Sequence, residues 1–195
     1  MITNTANLLT LFRIIIIPVL VALFYIPGAT AAWCAVALFV LAAITDFFDG
    51  YFARSLNQVS AFGRFLDPIA DKLIVTVTLF LLVAFERLEG IWILPALIIL
   101  VREVLIAGLR EFLGPYNVTV PVSKVAKWKT TVQLFAIAFL IAGDYGPDLV
   151  PFAQKIGLYG LLIAMILTVI SGWNYLRVGF KTIQELDHPD HQVNS

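Results

Sequence analysis

The stretch that decides the fold covers residues 46–71 and reads DFFDGYFARSLNQVSAFGRFLDPIAD. Four aspartates interrupt its otherwise apolar sequence: Asp46, Asp49, Asp67 and Asp71. A carboxylate in hydrocarbon costs several kcal/mol, so four carboxylates in such surroundings indicate a shared function. The aspartates of each pair are three or four residues apart, which places both side chains on one face of a helix. We therefore expect two helix faces that converge on metal ions.

The composition of the whole chain is that of a membrane protein. Hydrophobic residues make up 61% of its 195 positions, and the mean hydropathy is +0.93. Both values are far above those of a soluble domain and predict a chain that crosses the membrane several times. The formal net charge is zero, so charge gives no indication of a nucleic-acid partner, and we expect none. A single cysteine, Cys34, excludes an intrachain disulfide.

Six apolar segments approach the length of about 20 residues that a bilayer requires. They cover residues 8–26, 31–52, 62–85, 91–113, 130–142 and 152–176. The fifth segment is short unless it begins near Val125. Glycine, proline and polar residues mark breaks at residues 27–28, 86–90, 114–115 and 143–147. We predict an all-α integral membrane protein, with residues 1–186 forming a six-transmembrane-helix bundle and residues 187–195 a polar C-terminal tail.

Lysine and arginine are distributed unevenly between the two ends of these segments. With both termini on one side, that side carries Arg54, Arg64, Lys72, Arg110, Lys124, Lys127, Lys129, Arg177 and Lys181. The other side carries Arg87 and Lys155. The positive-inside rule then places both termini in the cytoplasm. It also places the aspartates at the cytoplasmic ends of the second and third helices, where we expect an active site in a polar cavity that faces the cytoplasm.

The four aspartates form an oxygen-only set of ligands. Such a set, without cysteine or histidine nearby, favours Mg²⁺ or Mn²⁺, and two such cations can clamp a diphosphate. Gly50 and Ala53, each one turn beyond an aspartate, leave room for a ligand close to the helix backbone. Arg54 continues the same stripe with a planar guanidinium that suits a phosphate. We predict two divalent cations and a diphosphate ligand.

A second charged region lies in the fourth and fifth segments. Arg102 and Arg110 are eight residues apart and so share nearly one helix face. Lys124 and Lys127 follow in a basic run at the start of the fifth segment. A cluster this basic beside a metal site suits a phosphorylated acceptor better than a neutral alcohol. The alternative is an anchor that contacts anionic lipid headgroups.

The order of these residues resembles the motif of a known family. The pattern D-x-x-D-G-x-x-A-R-x8-G-x-x-x-D-x-x-x-D is complete between Asp46 and Asp71, and it resembles the motif of the CDP-alcohol phosphatidyltransferases. That resemblance implies the CDP-alcohol phosphotransferase fold with six membrane helices, and a homodimer. It also implies an enzyme that displaces CMP from a CDP-linked lipid or alcohol.

The same resemblance implies roles for individual residues. By position in the motif, Asp46, Asp49 and Asp67 would bind metal. Asp71 would be both a metal ligand and the general base that accepts the proton of the acceptor hydroxyl. The CDP-lipid site would comprise Gly50, Ala53, Arg54 and Ser60, joined by Asn7 and Thr10 of the N-terminal run NLLTLFR.

Two further runs resemble one branch of the family, the bacterial phosphatidylglycerolphosphate synthases. They are REVLIAGLREF at residues 102–112 and KVAKWKT at residues 124–130. The resemblance implies transfer from CDP-diacylglycerol to sn-glycerol 3-phosphate at the bacterial inner membrane, a step of phospholipid biosynthesis. The acceptor phosphate would then be bound by Arg102, Arg110, Lys124 and Lys127.

Three other functions remain as alternatives. The nearest is the same chemistry with inositol phosphate, serine or phosphatidylglycerol as the acceptor. Intramembrane carboxylates are also typical of cation or proton transporters, but here they crowd towards one membrane face instead of forming a relay across it. A membrane scaffold without catalytic activity would give no reason for the spacing of the aspartates.

Overall fold

The computed structural model describes residues 5–55, 61–116, 124–146 and 150–187. These residues form six α-helices: α1 (Thr5–Tyr25), α2 (Ala29–Ser55), α3 (Ala61–Ala84), α4 (Ile93–Leu113), α5 (Lys124–Ala142) and α6 (Ala153–Asp187). Three short 3₁₀ turns cover Gly90–Trp92, Gly114–Tyr116 and Gly143–Tyr145. No strand occurs within the described ranges, so the prediction of an all-α chain is confirmed for them.

Two helices begin or end differently from the apolar segments in the sequence. Helix α5 begins at Lys124, so it includes the basic run and reaches membrane-spanning length. Helix α6 continues past the end of the apolar segment at Leu176 as far as Asp187. Its last turns read KTIQELD, and most of these residues favour a helix although they are polar. Hydropathy marks the apolar part of a helix, whereas backbone hydrogen bonding continues until a breaking residue occurs.

The predicted breaks coincide with the connections between helices. Gly28, between α1 and α2, has φ of 121°, and Gly143, between α5 and α6, has φ of 54°. Glycine adopts these left-handed conformations without steric cost. A Cβ at Gly143 would also lie 2.9 Å from Cζ of Arg87, so the guanidinium would have to shift. The positive φ is therefore the main reason for glycine at this position.

The helices pack in a ring around a central core. Helix α1 packs against α2 and α3, α2 against α5, α5 against α6, and α6 against α4. A smaller contact between α3 and α4 closes the ring. Each helix contributes a fully buried apolar side chain to the core: Leu20, Phe39, Leu82, Ile99, Ile137 and Leu161. The ring brings residues that are distant in sequence around one interior.

The outer surface of this ring is apolar. Phe80, Val104 and Phe135 are 69%, 70% and 64% exposed, and exposed apolar area on this scale is rare in soluble monomers. Two helices in the described residues, Gly90–Tyr116 and Ala153–Gln184, are long and apolar enough to cross a bilayer. Shorter apolar helices cover Thr10–Tyr25 and Ala29–Thr45. These features are consistent with a membrane protein whose outer surface contacts lipid.

Candidate active site

Helices α2 and α3 carry the four aspartates. Asp46 and Asp49 lie on the last turns of α2, and Asp67 and Asp71 lie on the first turns of α3. Both segments are continuous α-helix, so the spacing of three or four residues within each pair lies inside a single helix. The Asp71 side chain is exposed and lines a cavity between the helices. The side chains of the other three aspartates lie outside the described residues.

Most of the predicted CDP-lipid site also lies outside the described residues. Gly50, Ala53 and Arg54 belong to the helical backbone of α2, but nothing further is described of them, and Ser60 falls between the described ranges. Asn7 lies in the first turns of α1, and its side chain is likewise outside them. Thr10 is described and is buried at 1% exposure on α1. The roles of these residues remain predictions.

The cavity beside Asp71, which we call the inner cavity, lies at the centre of the ring of helices. It has a volume of about 70 Å³ and is lined by residues of α1, α2, α3, α4 and α5. Its polar lining includes Arg13, Asp71, Lys72, Glu103, Lys129 and Gln133. Arg13, Lys129 and Gln133 are 1%, 5% and 4% exposed. Buried polar groups in a bundle of this apolar character indicate a functional interior, because burying them is costly.

Glu103 on α4 is the centre of an ion-pair network. Its Oε2 accepts a hydrogen bond from Nζ of Lys72 at 2.9 Å, and its Oε1 accepts one from Nη1 of Arg102 at 3.0 Å. Nζ of Lys129 also donates to Oε1. The Glu103 side chain is 18% exposed and that of Lys129 is 7% exposed. The network joins α3, α4 and α5 through one carboxylate, and a buried carboxylate requires such partners.

The network carries an excess of positive charge. Three cations, Lys72, Arg102 and Lys129, surround the single carboxylate of Glu103, which leaves two positive charges in excess. In a partly buried setting this excess attracts an anion more strongly than it would in water, because the effective dielectric constant is lower. The cavity wall next to Asp71 is therefore suited to a phosphate group.

The two arginines of α4 both face α6. Nη2 of Arg102 donates to Oγ of Ser171 at 3.0 Å, and its side chain lies so close to Gly172 that a Cβ there would be 3.0 Å from Nε. Arg110 is exposed, and its guanidinium carbon lies 5.9 Å from the centre of the Tyr175 ring. Lys124 and Lys127 lie on the first turns of α5, with side chains outside the described residues. The predicted binding of an acceptor phosphate by these four residues is not tested by these contacts.

Sequence reasoning gave no role to several residues of the inner cavity. Glu103 lies in the run of residues 102–112 and Lys129 in the basic run of residues 124–130, but their ion pair was not predicted. Gln133 was not singled out at all. Glu103 did carry a signal, because a carboxylate amid the apolar residues of α4 needs cationic partners. The identity of those partners depends on the packing of α3 and α5 against α4, which no spacing within α4 can reveal.

A larger cavity, the loop-end cavity, lies at the opposite end of the bundle. It has a volume of about 480 Å³ and is lined by residues from the α1–α2, α3–α4 and α5–α6 connections. Arg87 of the α3–α4 connection donates to the carbonyl oxygen of Ile141, and its guanidinium carbon lies 4.9 Å from the centre of the Phe24 ring. Burial lowers the pKa of Arg87, and the negative charge of Asp144 opposes this change. Arg87 therefore completes the C-terminal end of α5, where a cation is favourable.

Comparisons with known proteins give a consistent result. A sequence model of the CDP-alcohol phosphatidyltransferase family matches residues 3–173, which include the whole stretch of four aspartates. A Rickettsia typhi protein is 47% identical over 174 residues, covering 89% of this chain and 96% of that protein. Proteins from Salmonella choleraesuis and Cereibacter sphaeroides are 40% and 39% identical, covering 89% and 88% of this chain and 93% of each relative. All three are named CDP-diacylglycerol–glycerol-3-phosphate 3-phosphatidyltransferase.

Proposed function

The chain belongs to the CDP-alcohol phosphatidyltransferase family, and from this premise we infer that it transfers the phosphatidyl group of CDP-diacylglycerol to sn-glycerol 3-phosphate. The products are phosphatidylglycerophosphate and CMP, so the enzyme acts in phospholipid biosynthesis. The observation that carries this conclusion is similarity over nearly the full length to relatives of that name. The excess positive charge around Glu103 supports a phosphorylated acceptor.

The chain is a membrane enzyme, and we propose six spans in the bacterial inner membrane with both termini in the cytoplasm. The apolar outer faces of the helices and the uneven distribution of lysine and arginine support this arrangement. It places the inner cavity towards the cytoplasm, where glycerol 3-phosphate is dissolved. It also opens the cavity towards the leaflet from which CDP-diacylglycerol would enter. The same proposal includes a homodimer, a catalytic domain of residues 1–186 and a C-terminal tail of residues 187–195.

Two divalent cations, Mg²⁺ or Mn²⁺, fit the ligands that α2 and α3 provide. The ligands are the four carboxylates of Asp46, Asp49, Asp67 and Asp71, and carboxylate oxygens are the donors that these cations prefer. The family generally depends on divalent cations. When bound, the cations would neutralise the diphosphate and the departing CMP.

Asp71 is the proposed general base. Its exposed carboxylate lines the inner cavity beside the Glu103 network, so an acceptor held there would present its primary hydroxyl to Asp71. Asp71 takes the hydroxyl proton as the oxygen attacks the phosphorus that bears the diacylglycerol. The new phosphorus–oxygen bond forms as the bond between that phosphorus and the CMP oxygen breaks. Phosphatidylglycerophosphate and CMP result without a covalent enzyme intermediate.

Cationic side chains hold the acceptor phosphate in this proposal. Lys72 and Lys129 flank the inner cavity and are already oriented by Glu103. Arg102, Arg110, Lys124 and Lys127 extend the same positive region along α4 and α5 towards the proposed cytoplasmic side. On α1 and α2, Asn7, Thr10, Gly50, Ala53 and Arg54 would contact the CDP-lipid, together with Ser60 beyond the end of α2. The two substrates thus approach Asp71 from different helices.

The experiment that tests the function measures release of CMP by the purified protein in detergent–lipid micelles. CDP-diacylglycerol and Mg²⁺ are supplied with one acceptor at a time: glycerol 3-phosphate, inositol phosphate, serine or phosphatidylglycerol. We expect release with glycerol 3-phosphate at least about 100-fold faster than with any other acceptor, because its phosphate and hydroxyl must both be recognised. Faster release with another acceptor would assign the enzyme to a sister activity. No release with any acceptor would contradict phosphatidyl transfer altogether.

A further inference from the structure

We propose that Gln133 determines acceptor specificity by accepting a hydrogen bond from the secondary hydroxyl of glycerol 3-phosphate. This inference rests on the proposed function and assigns a role to a residue that neither the aspartate motif nor the basic run includes. It concerns recognition of the acceptor and not the chemistry at phosphorus. Its evidence is the burial of Gln133, an unsatisfied oxygen atom and the position of the side chain in the inner cavity.

The side-chain oxygen of Gln133 is a buried acceptor without a donor. The residue is 4% exposed on α5, and its Oε1 has no hydrogen-bond partner among the described residues. Leaving a buried polar atom unsatisfied is costly, and buried polar atoms in folded proteins nearly always have a partner. A hydrogen-bond donor on a ligand that enters the cavity would satisfy this oxygen.

The location of Gln133 shows where that donor would come from. Gln133 lines the inner cavity together with Asp71 and Lys129. It lies one helical turn after Lys129 on α5, so both side chains belong to the same helix face. A molecule that placed its phosphate near Lys129 and its reacting hydroxyl near Asp71 would therefore pass beside Gln133.

The chemistry of the substrates leaves one suitable donor. Phosphate oxygens act as acceptors, and in the proposed mechanism the primary hydroxyl of glycerol 3-phosphate gives its proton to Asp71. The secondary hydroxyl remains, and a hydroxyl donates one hydrogen bond. In the proposed mechanism the CDP-lipid contacts α1 and α2, whereas Gln133 lies on α5 one turn after Lys129. The acceptor is therefore the substrate whose hydroxyl would reach Oε1 of Gln133 in the inner cavity.

The test compares glycerol 3-phosphate with 3-hydroxypropyl phosphate, which keeps the phosphate and the primary hydroxyl but lacks the secondary hydroxyl. We expect the unmodified enzyme to favour glycerol 3-phosphate in kcat/KM by about 10- to 100-fold, because the analogue leaves Oε1 of Gln133 unsatisfied. Gln133→Met, which keeps length and volume but removes the acceptor atom, should reduce this preference to less than about 3-fold. Most of the change should be a lower kcat/KM for glycerol 3-phosphate, with KM for CDP-diacylglycerol unchanged.

Thr168→Val is the matched control. Thr168 on α6 is also fully buried, and its Oγ1 likewise has no hydrogen-bond partner among the described residues. Valine has nearly the same shape, so this variant removes a buried polar atom away from the residues that line the inner cavity. We expect the ratio of the two kcat/KM values to remain within about 2-fold of that of the unmodified enzyme.

A second variant, Gln133→Asn, keeps the carboxamide but shortens its reach, and we expect it to lose the preference as well. If Gln133→Met does not fold, Gln133→Asn provides the test of whether Gln133 causes the preference for glycerol 3-phosphate. Equal use of the two acceptors by the unmodified enzyme would overturn the inference. So would Gln133 variants that lower kcat/KM for both acceptors equally, or that raise only KM for CDP-diacylglycerol. By contrast, an unmodified enzyme that releases no CMP with either acceptor would contradict the proposed function itself.

Discussion

The inner cavity and the loop-end cavity both contain buried or half-buried cations, yet the cations have different partners. In the loop-end cavity of about 480 Å³, Arg87 donates to a backbone carbonyl at the end of α5. In the inner cavity of about 70 Å³, Lys72 and Lys129 donate to the carboxylate of Glu103. The cation of the loop-end cavity therefore stabilises the fold, whereas the inner cavity has more cations than the one carboxylate that pairs with them. The excess of positive charge, and not the cavity volume, identifies the inner cavity as the candidate active site.

The difference in partners has a physical consequence. A carbonyl at a helix end is fixed by the backbone, and its interaction with Arg87 is satisfied only in the folded bundle. A carboxylate shared by three cations orients them while leaving net positive charge for an incoming anion. We therefore expect substitutions in the loop-end cavity to change stability, and substitutions in the inner cavity to change catalysis.

The largest expected effect is that of Asp71→Asn in the inner cavity. Removal of the general base should lower kcat by about 1000-fold, within the usual contribution of a positioned base. CDP-diacylglycerol should still bind, because asparagine keeps the size of the side chain. The measurements are single-turnover CMP release and retention of labelled CDP-diacylglycerol by the purified protein.

Asp144→Asn is the control for this prediction, because Asp144 is an exposed aspartate that lines the loop-end cavity. Its kcat should stay within about 2-fold of that of the unmodified enzyme. An active Asp71→Asn enzyme would show that Asp71 is not the general base. A strong loss of kcat in Asp144→Asn would contradict the division of roles between the two cavities.

The next largest effect is expected for Glu103→Gln, which removes the negative charge at the centre of the network. Lys129, with a side chain 7% exposed, would lose its anionic partner, and breaking such a pair should cost about 2–3 kcal/mol of the free energy of unfolding. KM for glycerol 3-phosphate should also change, because Lys72 and Lys129 lose their orientation.

Thermal unfolding in detergent and steady-state kinetics measure the two effects of Glu103→Gln. Glu89→Gln serves as the comparison, since Glu89 is an exposed residue of the loop-end cavity. Its stability should change by less than about 0.5 kcal/mol. Equal changes in the free energy of unfolding for Glu103→Gln and Glu89→Gln would show that the ion pairs of Glu103 do not stabilise the fold.

The smallest expected effect is that of Arg87→Met, which should lower the free energy of unfolding by about 1–2 kcal/mol. The reason is loss of a charged hydrogen bond to the carbonyl of Ile141 and of a cation at the end of α5. The kcat measured at a temperature where the variant is fully folded should be unchanged. Lys155→Met, at an exposed lysine on the same end of the bundle, should alter neither quantity. A large fall in kcat for Arg87→Met would show that the loop-end cavity contributes to catalysis.

Much of the helix arrangement could be predicted from the sequence because apolar length and breaking residues are local properties. The breaks at Gly28 and Gly143 coincide with positive φ angles, and α5 begins at Lys124, close to the predicted Val125. The last apolar segment ends at Leu176, whereas α6 continues to Asp187, because helix-favouring residues extend beyond the apolar ones. The family was also predicted correctly, because its motif consists of fixed spacings within one short stretch.

The sequence by itself determined the helical class, the family and the spacing of the aspartates within two helices. These follow from periodicity and spacing, which depend on residues close together along the chain. Only the tertiary structure decided that Glu103 pairs with Lys72 and Lys129, that Arg102 turns to Ser171, and that Gln133 faces the inner cavity. The physical reason is that a buried polar group takes the partner that helix packing brings within hydrogen-bonding distance. That packing is set by apolar faces elsewhere in the chain and not by the polar residues themselves.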